Sequence, residues 1–88
     1  MTSRAHRRFW DCFNKLPDQV QALAREKYRL WRIDPFHPPL QFKPLLGDVW
    51  SIRVGHNYRA LARRHDGLAV WFWIGTHEAY NDLIKHLG

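Results

Sequence analysis

Two arginines, a histidine and a tyrosine carry the most specific chemistry in this sequence. Arg53 and Arg59 flank one turn in the run Ser51-Ile52-Arg53-Val54-Gly55-His56-Asn57-Tyr58-Arg59-Ala60. If the runs on either side pair as antiparallel strands, two guanidinium groups stand side by side, which is uphill unless an anion compensates. A phosphate does this well, because a guanidinium fork binds two oxygens at once. Ordinary surface arginines would show the same spacing. His77 follows the last apolar run, with Tyr80 and Asp82 close behind. An imidazole at a strand end can give or take a proton near neutral pH, or serve only as a polar helix start.

Other chemistries lack their residues. There is no glycine-rich phosphate loop, no Gly-x-Ser-x-Gly elbow and no paired-carboxylate pattern. His6, His37, His56, His65, His77 and His86 have no metal-ligand spacing, so neither metal nor other cofactor is expected. Cys12 is the lone cysteine and cannot form an intrachain disulfide; its apolar neighbours suggest a small buried residue. Trp71 and Trp73, two residues apart, should share a sheet face. They are a base-stacking platform if exposed, and core or protein interface if covered.

These residues must be positioned by a small scaffold. The chain has 88 residues, enough for a single domain spanning 1–88. Five Trp, five Phe and three Tyr argue for a folded core, since each ring buries a large area. Fourteen Lys+Arg against eight Asp+Glu give a net charge of +6. That excess suits a polyanionic partner (nucleic acid, acidic protein or anionic membrane) or simple solubility. Residues 1–8 lack the apolar stretch of a signal peptide, and the longest apolar run, residues 68–74, is far too short to span a membrane. A cytoplasmic protein is expected.

Ala5, Phe9, Cys12, Phe13 and Leu16 recur at helical spacing, which predicts a helix over residues 4–15 capped by Thr2 or Ser3 and ended by Pro17. Val20, Leu23, Ala24, Leu30 and Trp31 predict a second over 19–33, capped by Asp18 and closed by Asp34-Pro35. The short joint makes them a hairpin. Four strand-like runs follow at 40–46, 49–54, 58–64 and 68–74, separated by turn residues, the clearest being Asp66-Gly67. Thr76 can cap a short final helix over 77–87. The fold class is therefore α+β: an N-terminal helical hairpin on a four-stranded antiparallel sheet with a short C-terminal helix. Phe9, Phe13, Leu16, Leu23, Trp31, Ile52, Val54 and Phe72 are the expected core, with Val70, Phe72 and Ile74 on one face of the last strand.

That element order resembles the RelE/ParE toxin superfamily. The resemblance covers about residues 9 to 84. It rests on Asp34-Pro35-Phe36-His37-Pro38, Leu40-Gln41-Phe42-Lys43, Trp50-Ser51-Ile52-Arg53-Val54, Tyr58-Arg59-Ala60-Leu61 and Trp73-Ile74-Gly75-Thr76-His77-Glu78-Ala79-Tyr80. The combination is fairly specific, although no single piece is. Many members begin with a strand, and residues 1–8 offer no convincing one, so the sheet is expected to lack it.

The resemblance implies the toxin of a type II toxin–antitoxin pair. RelE-like members cleave mRNA, usually on the ribosome and without metal, by attack of a ribose 2′-hydroxyl on the adjacent phosphate. By position, Arg59 matches the arginine on the scissile phosphate, His77 the acid–base position, and Tyr80 a C-terminal aromatic that orients substrate. Arg53 is implied as a second phosphate contact, with Arg63 and Lys43 added to the phosphate-binding set. The expected partners are an acidic antitoxin, mRNA and the ribosome. The ParE branch shares the fold but inhibits DNA gyrase without cleaving RNA, and this alternative stays open because fold does not fix function.

Overall fold

The computed structural model describes residues 1–87. The elements run β1 (Thr2–Ala5), α1 (Arg7–Phe13), α2 (Asp18–Ile33), a 3-10 turn (Pro38–Leu40), β2 (Lys43–Leu46), β3 (Val49–Val54), β4 (Tyr58–His65), β5 (Leu68–Thr76) and α3 (His77–Leu87). Local turn chemistry makes β2 to β5 an antiparallel meander. Asp66 and Gly67 take φ of 46° and 81°, the left-handed pair whose twist matches a tight hairpin. The sheet order is β1-β5-β4-β3-β2, and β3 pairs β4 antiparallel, as expected for residues 49–54 and 58–64. No described helix is long and apolar enough to cross a membrane.

The sheet has five strands rather than four. Thr2–Ala5 is not the start of a helix but an edge strand, parallel to β5. Thr2 N–H donates to Gly67 O at 3.0 Å and His6 N–H to Trp71 O at 2.7 Å, so this segment satisfies the open edge of β5. The helix therefore begins later, and its cap is His6, whose Nδ1 accepts from Arg8 N–H at 3.1 Å, not Thr2 or Ser3. Pro17 rather than Asp18 is the N-cap of α2, and Asp18 sits in its first turn, where a carboxylate opposes the helix dipole favourably. Gln21 ties the two helices by donating to Phe13 O and Leu16 O, both at 3.1 Å. Strand β2 begins at Lys43 instead of residue 40. Leu40 is drawn fully into the core through the 3-10 turn, and Gln41 leaves it with a left-handed φ of 48°.

The core lies between the helices and one face of the sheet. Phe13 and Trp31 pack with Ile52, Val54, Ala60, Ala62, Trp71 and Ile74, and Phe9, Leu16 and Leu23 join at its margin. Cys12 is half-buried against this core. Phe72 is the exception. The β4–β5 register slips between Leu61 and Ala62, which pair with Trp73 and Trp71, so β5 carries an extra residue there. A bulge of this kind reverses the alternation beyond it. Trp71 and Ile74 consequently face the helices, Phe72 does not, and Trp71 and Trp73 do not share a face. Phe72 instead lies under the Arg63 guanidinium, 5.6 Å from ring centre to Cζ. Phe72→Ala should cost about 1 kcal/mol in chemical denaturation, the ordinary size for a half-buried site. A loss of about 3–5 kcal/mol, as for a core aromatic, would contradict this placement.

Candidate functional site

On the sheet face away from the core helices, register puts Arg53, Arg59 and Gly75 in one row, Arg53 opposite Arg59 and Arg59 opposite Gly75. Packing and hydrogen bonding at the turn hold this row in place. Gly55, in the turn between the two arginines, has φ +69°, and a Cβ there would come within 2.9 Å of the Leu23 side chain. Only glycine lets the turn sit so close to α2. From the other side, His77 N–H donates to Asn57 O at 2.7 Å and pins the start of α3 to the same turn. Thr76 caps α3 as expected, its Oγ1 accepting from Ala79 N–H at 3.1 Å.

Arg59 is the electrostatic centre. Burial and then the charge of Arg53 hold its guanidinium below the ordinary arginine value, while Tyr80 acts in the opposite direction. Arginine stays protonated regardless, so the shift reflects a charge held partly out of water first and beside a like charge second. Its Nη1 is buried and has no hydrogen-bond partner. Arg59 thus combines crowding by a like charge with unused donor capacity, the condition that an anion relieves. His77 and Tyr80 stand together, with ring centroids 5.7 Å apart, and His77 Nδ1 lies 3.2 Å from Asn81 Nδ2.

The structure therefore brings Arg53, Arg59, His77 and Tyr80 to one end of the sheet. Lys43 pairs with Ser51, two residues along β3 from Arg53, and so shares this face from the outer strand. Arg63 lies at the opposite end of β4, where its Nη1 contacts Asp48 Oδ1 at 2.8 Å. Asp48 also binds His65 Nε2 at 2.6 Å, so the charge of Arg63 is already met. Sequence reasoning missed His56. It is exposed in the turn, and its Nδ1 lies 2.7 Å from Arg53 Nη2. Its signal was its place between the two arginines, three residues after Arg53. Among the described residues, no group of three or more His, Cys, Asp or Glu comes together in a way that could hold a metal ion.

A second concave feature lies on the opposite side of the sheet. The two N-terminal helices leave an open groove of about 530 Å3 above Ile52, Val54, Ala60, Trp71 and Ile74. Its walls carry Phe9, Trp10 and Tyr28, and Arg4, Arg25, Lys27 and Arg29 line it, with no carboxylate among its lining residues. Trp10 is 47% exposed.

The sequence pattern of the ParE-like toxin domain matches residues 18–82. Among curated proteins, none matches the chain in sequence. Solved structures share the architecture. A chain of the RelBE2 toxin–antitoxin complex from Mycobacterium tuberculosis is 24% identical with a TM-score of 0.70, over 86% of this chain and 90% of that one. A chain of the RelB–RelE antitoxin–toxin complex from Methanococcus jannaschii is 13% identical with a TM-score of 0.73, over 90% and 95%. The isolated E. coli RelE toxin is 17% identical with a TM-score of 0.65, over 99% and 98%. At these identities the likeness is one of fold.

Proposed function

From the premise that the chain belongs to the ParE-like toxin domain family, within the RelE/ParE toxin superfamily, we propose that it is a toxin that cleaves mRNA in the cytoplasm, on the ribosome and without metal. The observation that supports this most is Arg59: half-buried, crowded by Arg53, opposed in charge by Tyr80, and with one buried guanidinium nitrogen unpartnered. In this reading Arg59 holds the scissile phosphate and stabilises the charge that grows on it. The ribose 2′-oxygen bonds to phosphorus as its proton passes to His77. The bond to the 5′-oxygen then breaks, and that oxygen takes a proton back, which leaves a cyclic phosphate and a free 5′-hydroxyl. Tyr80 orients the substrate, and Lys43 and Arg53 add positive field along the strand. Arg63, held by Asp48, contributes little until that ion pair opens.

The test is primer extension on mRNA from cells or a translation extract expressing the chain, beside a DNA gyrase supercoiling assay. Discrete mRNA breaks with normal supercoiling support the nuclease. Intact mRNA with blocked supercoiling replaces it with a gyrase inhibitor, the reading to which the ParE-like match lends weight.

A cognate antitoxin completes the proposal. Among the similar folds are toxins solved together with their antitoxins. An amphipathic acidic segment suits the groove between the helices, with its apolar side on Trp71 and Ile74 and its carboxylates on Arg25 and Arg29. An acidic segment that also crosses Arg59 would silence the toxin. Arg25→Glu is expected to weaken antitoxin binding at least tenfold in calorimetry, and wild-type affinity should fall as salt rises. Binding indifferent to both changes would remove the antitoxin from this groove.

A further inference from the structure

We propose that Arg53 acts through His56: its guanidinium fixes the imidazole so that His56 Nε2–H, in the turn between the two arginine strands, donates a hydrogen bond to an RNA phosphate oxygen. The proposal rests on the Arg59 face being a phosphate site. It assigns a residue outside the arginine, histidine and tyrosine set described above.

The geometry carries it in three steps. First, two of the three Arg53 guanidinium nitrogens are already engaged. Its Nε donates to Gly55 O at 3.2 Å and its Nη2 lies 2.7 Å from His56 Nδ1. A guanidinium has donors only, so His56 Nδ1 must accept, and the ring keeps its proton on Nε2. Second, the imidazole is carried on a turn packed against Leu23 at Gly55 and tied to α3 through Asn57. Third, Arg53 projects from the same face as Arg59 and is close enough to depress it. His56 therefore presents an N–H donor from the turn that joins the two arginine strands.

The two site histidines then differ by their partners. His77 Nδ1 faces the Asn81 side-chain amide. An amide can offer a donor or, turned over, an acceptor. His77 is free to change its protonated nitrogen and so to move a proton. His56 is held by a partner that can never accept, which suits it to fixed donation rather than transfer. Two imidazoles in one site take separate roles because their neighbours differ.

The experiment uses the full chain, labelled with 15N, and an uncleavable 2′-O-methyl RNA oligonucleotide. Long-range proton–nitrogen spectra above pH 8 should show His56 as a single Nε2–H tautomer, and Arg53→Met should release it to a mixture. His56→Ala and Arg53→Met should each weaken oligonucleotide binding and mRNA cleavage about 10- to 100-fold, the size of one hydrogen bond to a charged group. The double variant should be no worse than either, as expected of a couple. His56→Gln, with an amide N–H near the position of Nε2, should recover to within a few-fold of wild type. Mixed tautomers in the wild-type protein, multiplicative losses in the double variant, or a Gln variant as weak as the Ala variant would each overturn the proposal. If the wild type cleaves no mRNA, alone or with ribosomes, the nuclease reading fails, and the spectra and oligonucleotide binding still decide the role of His56.

Discussion

His77→Ala is expected to slow mRNA cleavage by roughly 10²–10⁴-fold, the span of one general acid–base group, while leaving the unfolding midpoint almost unchanged. The fold does not need the imidazole. The contact that anchors α3 to the turn is the His77 backbone N–H to Asn57 O, which alanine retains, and Thr76 still caps the helix. What alanine removes is the ring near Tyr80 and its link to Asn81. Arg59→Lys makes a different forecast from the same site. Lysine keeps the charge but loses the planar fork, so RNA binding should survive in part while cleavage falls. Comparing kcat with KM separates the roles, because loss of proton transfer lowers kcat and loss of phosphate binding also raises KM. If the wild type cleaves and His77→Ala cleaves equally fast, the fold and family stand and proton transfer belongs to another residue.

The arginine pair was legible in the sequence because its geometry is local. A short turn between two strands fixes their register, so Arg53 and Arg59 fall opposite each other without knowledge of the rest of the chain. The cap at Thr76 is equally local. Strand β1 was hidden for the opposite reason. Thr2, Ser3 and Arg4 carry no apolar alternation, and their pairing partner lies more than sixty residues away in β5. The faces of Trp71, Phe72 and Trp73 were hidden by a bulge at residues that are themselves neither glycine nor proline. Strict alternation across an unbroken apolar run gave Phe72 the core position that Trp71 holds. The Arg63–Asp48 ion pair is long-range as well, since it joins the end of β4 to the turn before β3 once β3 and β4 are in register. The groove has no sequence signature, because it comes from how far two helices stand apart over the sheet.

Trp31→Ala is expected to cost about 3–5 kcal/mol, the usual loss for a buried aromatic truncated to alanine. Trp31 has no exposed surface and stands among three other rings: Tyr28 stacked at 6.0 Å, Phe42 edge-on at 5.7 Å and Trp71 edge-on at 5.3 Å. It is where α2, the segment before β2, and β5 meet. A domain of this length has only about 4–13 kcal/mol to lose, so the variant should sit near its unfolding midpoint at 37 °C and every activity should fall together. The indole N–H of Trp31 is buried without a partner, which makes the conservative change informative. Trp31→Phe gives up volume but also removes an unsatisfied donor, and these terms oppose each other. Its loss should be about 1 kcal/mol, with cleavage at the wild-type rate, because Trp31 lies on the other side of the sheet from Arg59. Denaturant titration of both variants checks this. A Trp31→Ala loss below about 1.5 kcal/mol would show that the site can collapse around the missing ring. A folded Trp31→Phe protein that no longer cleaves would tie the aromatic core directly to the arginine face.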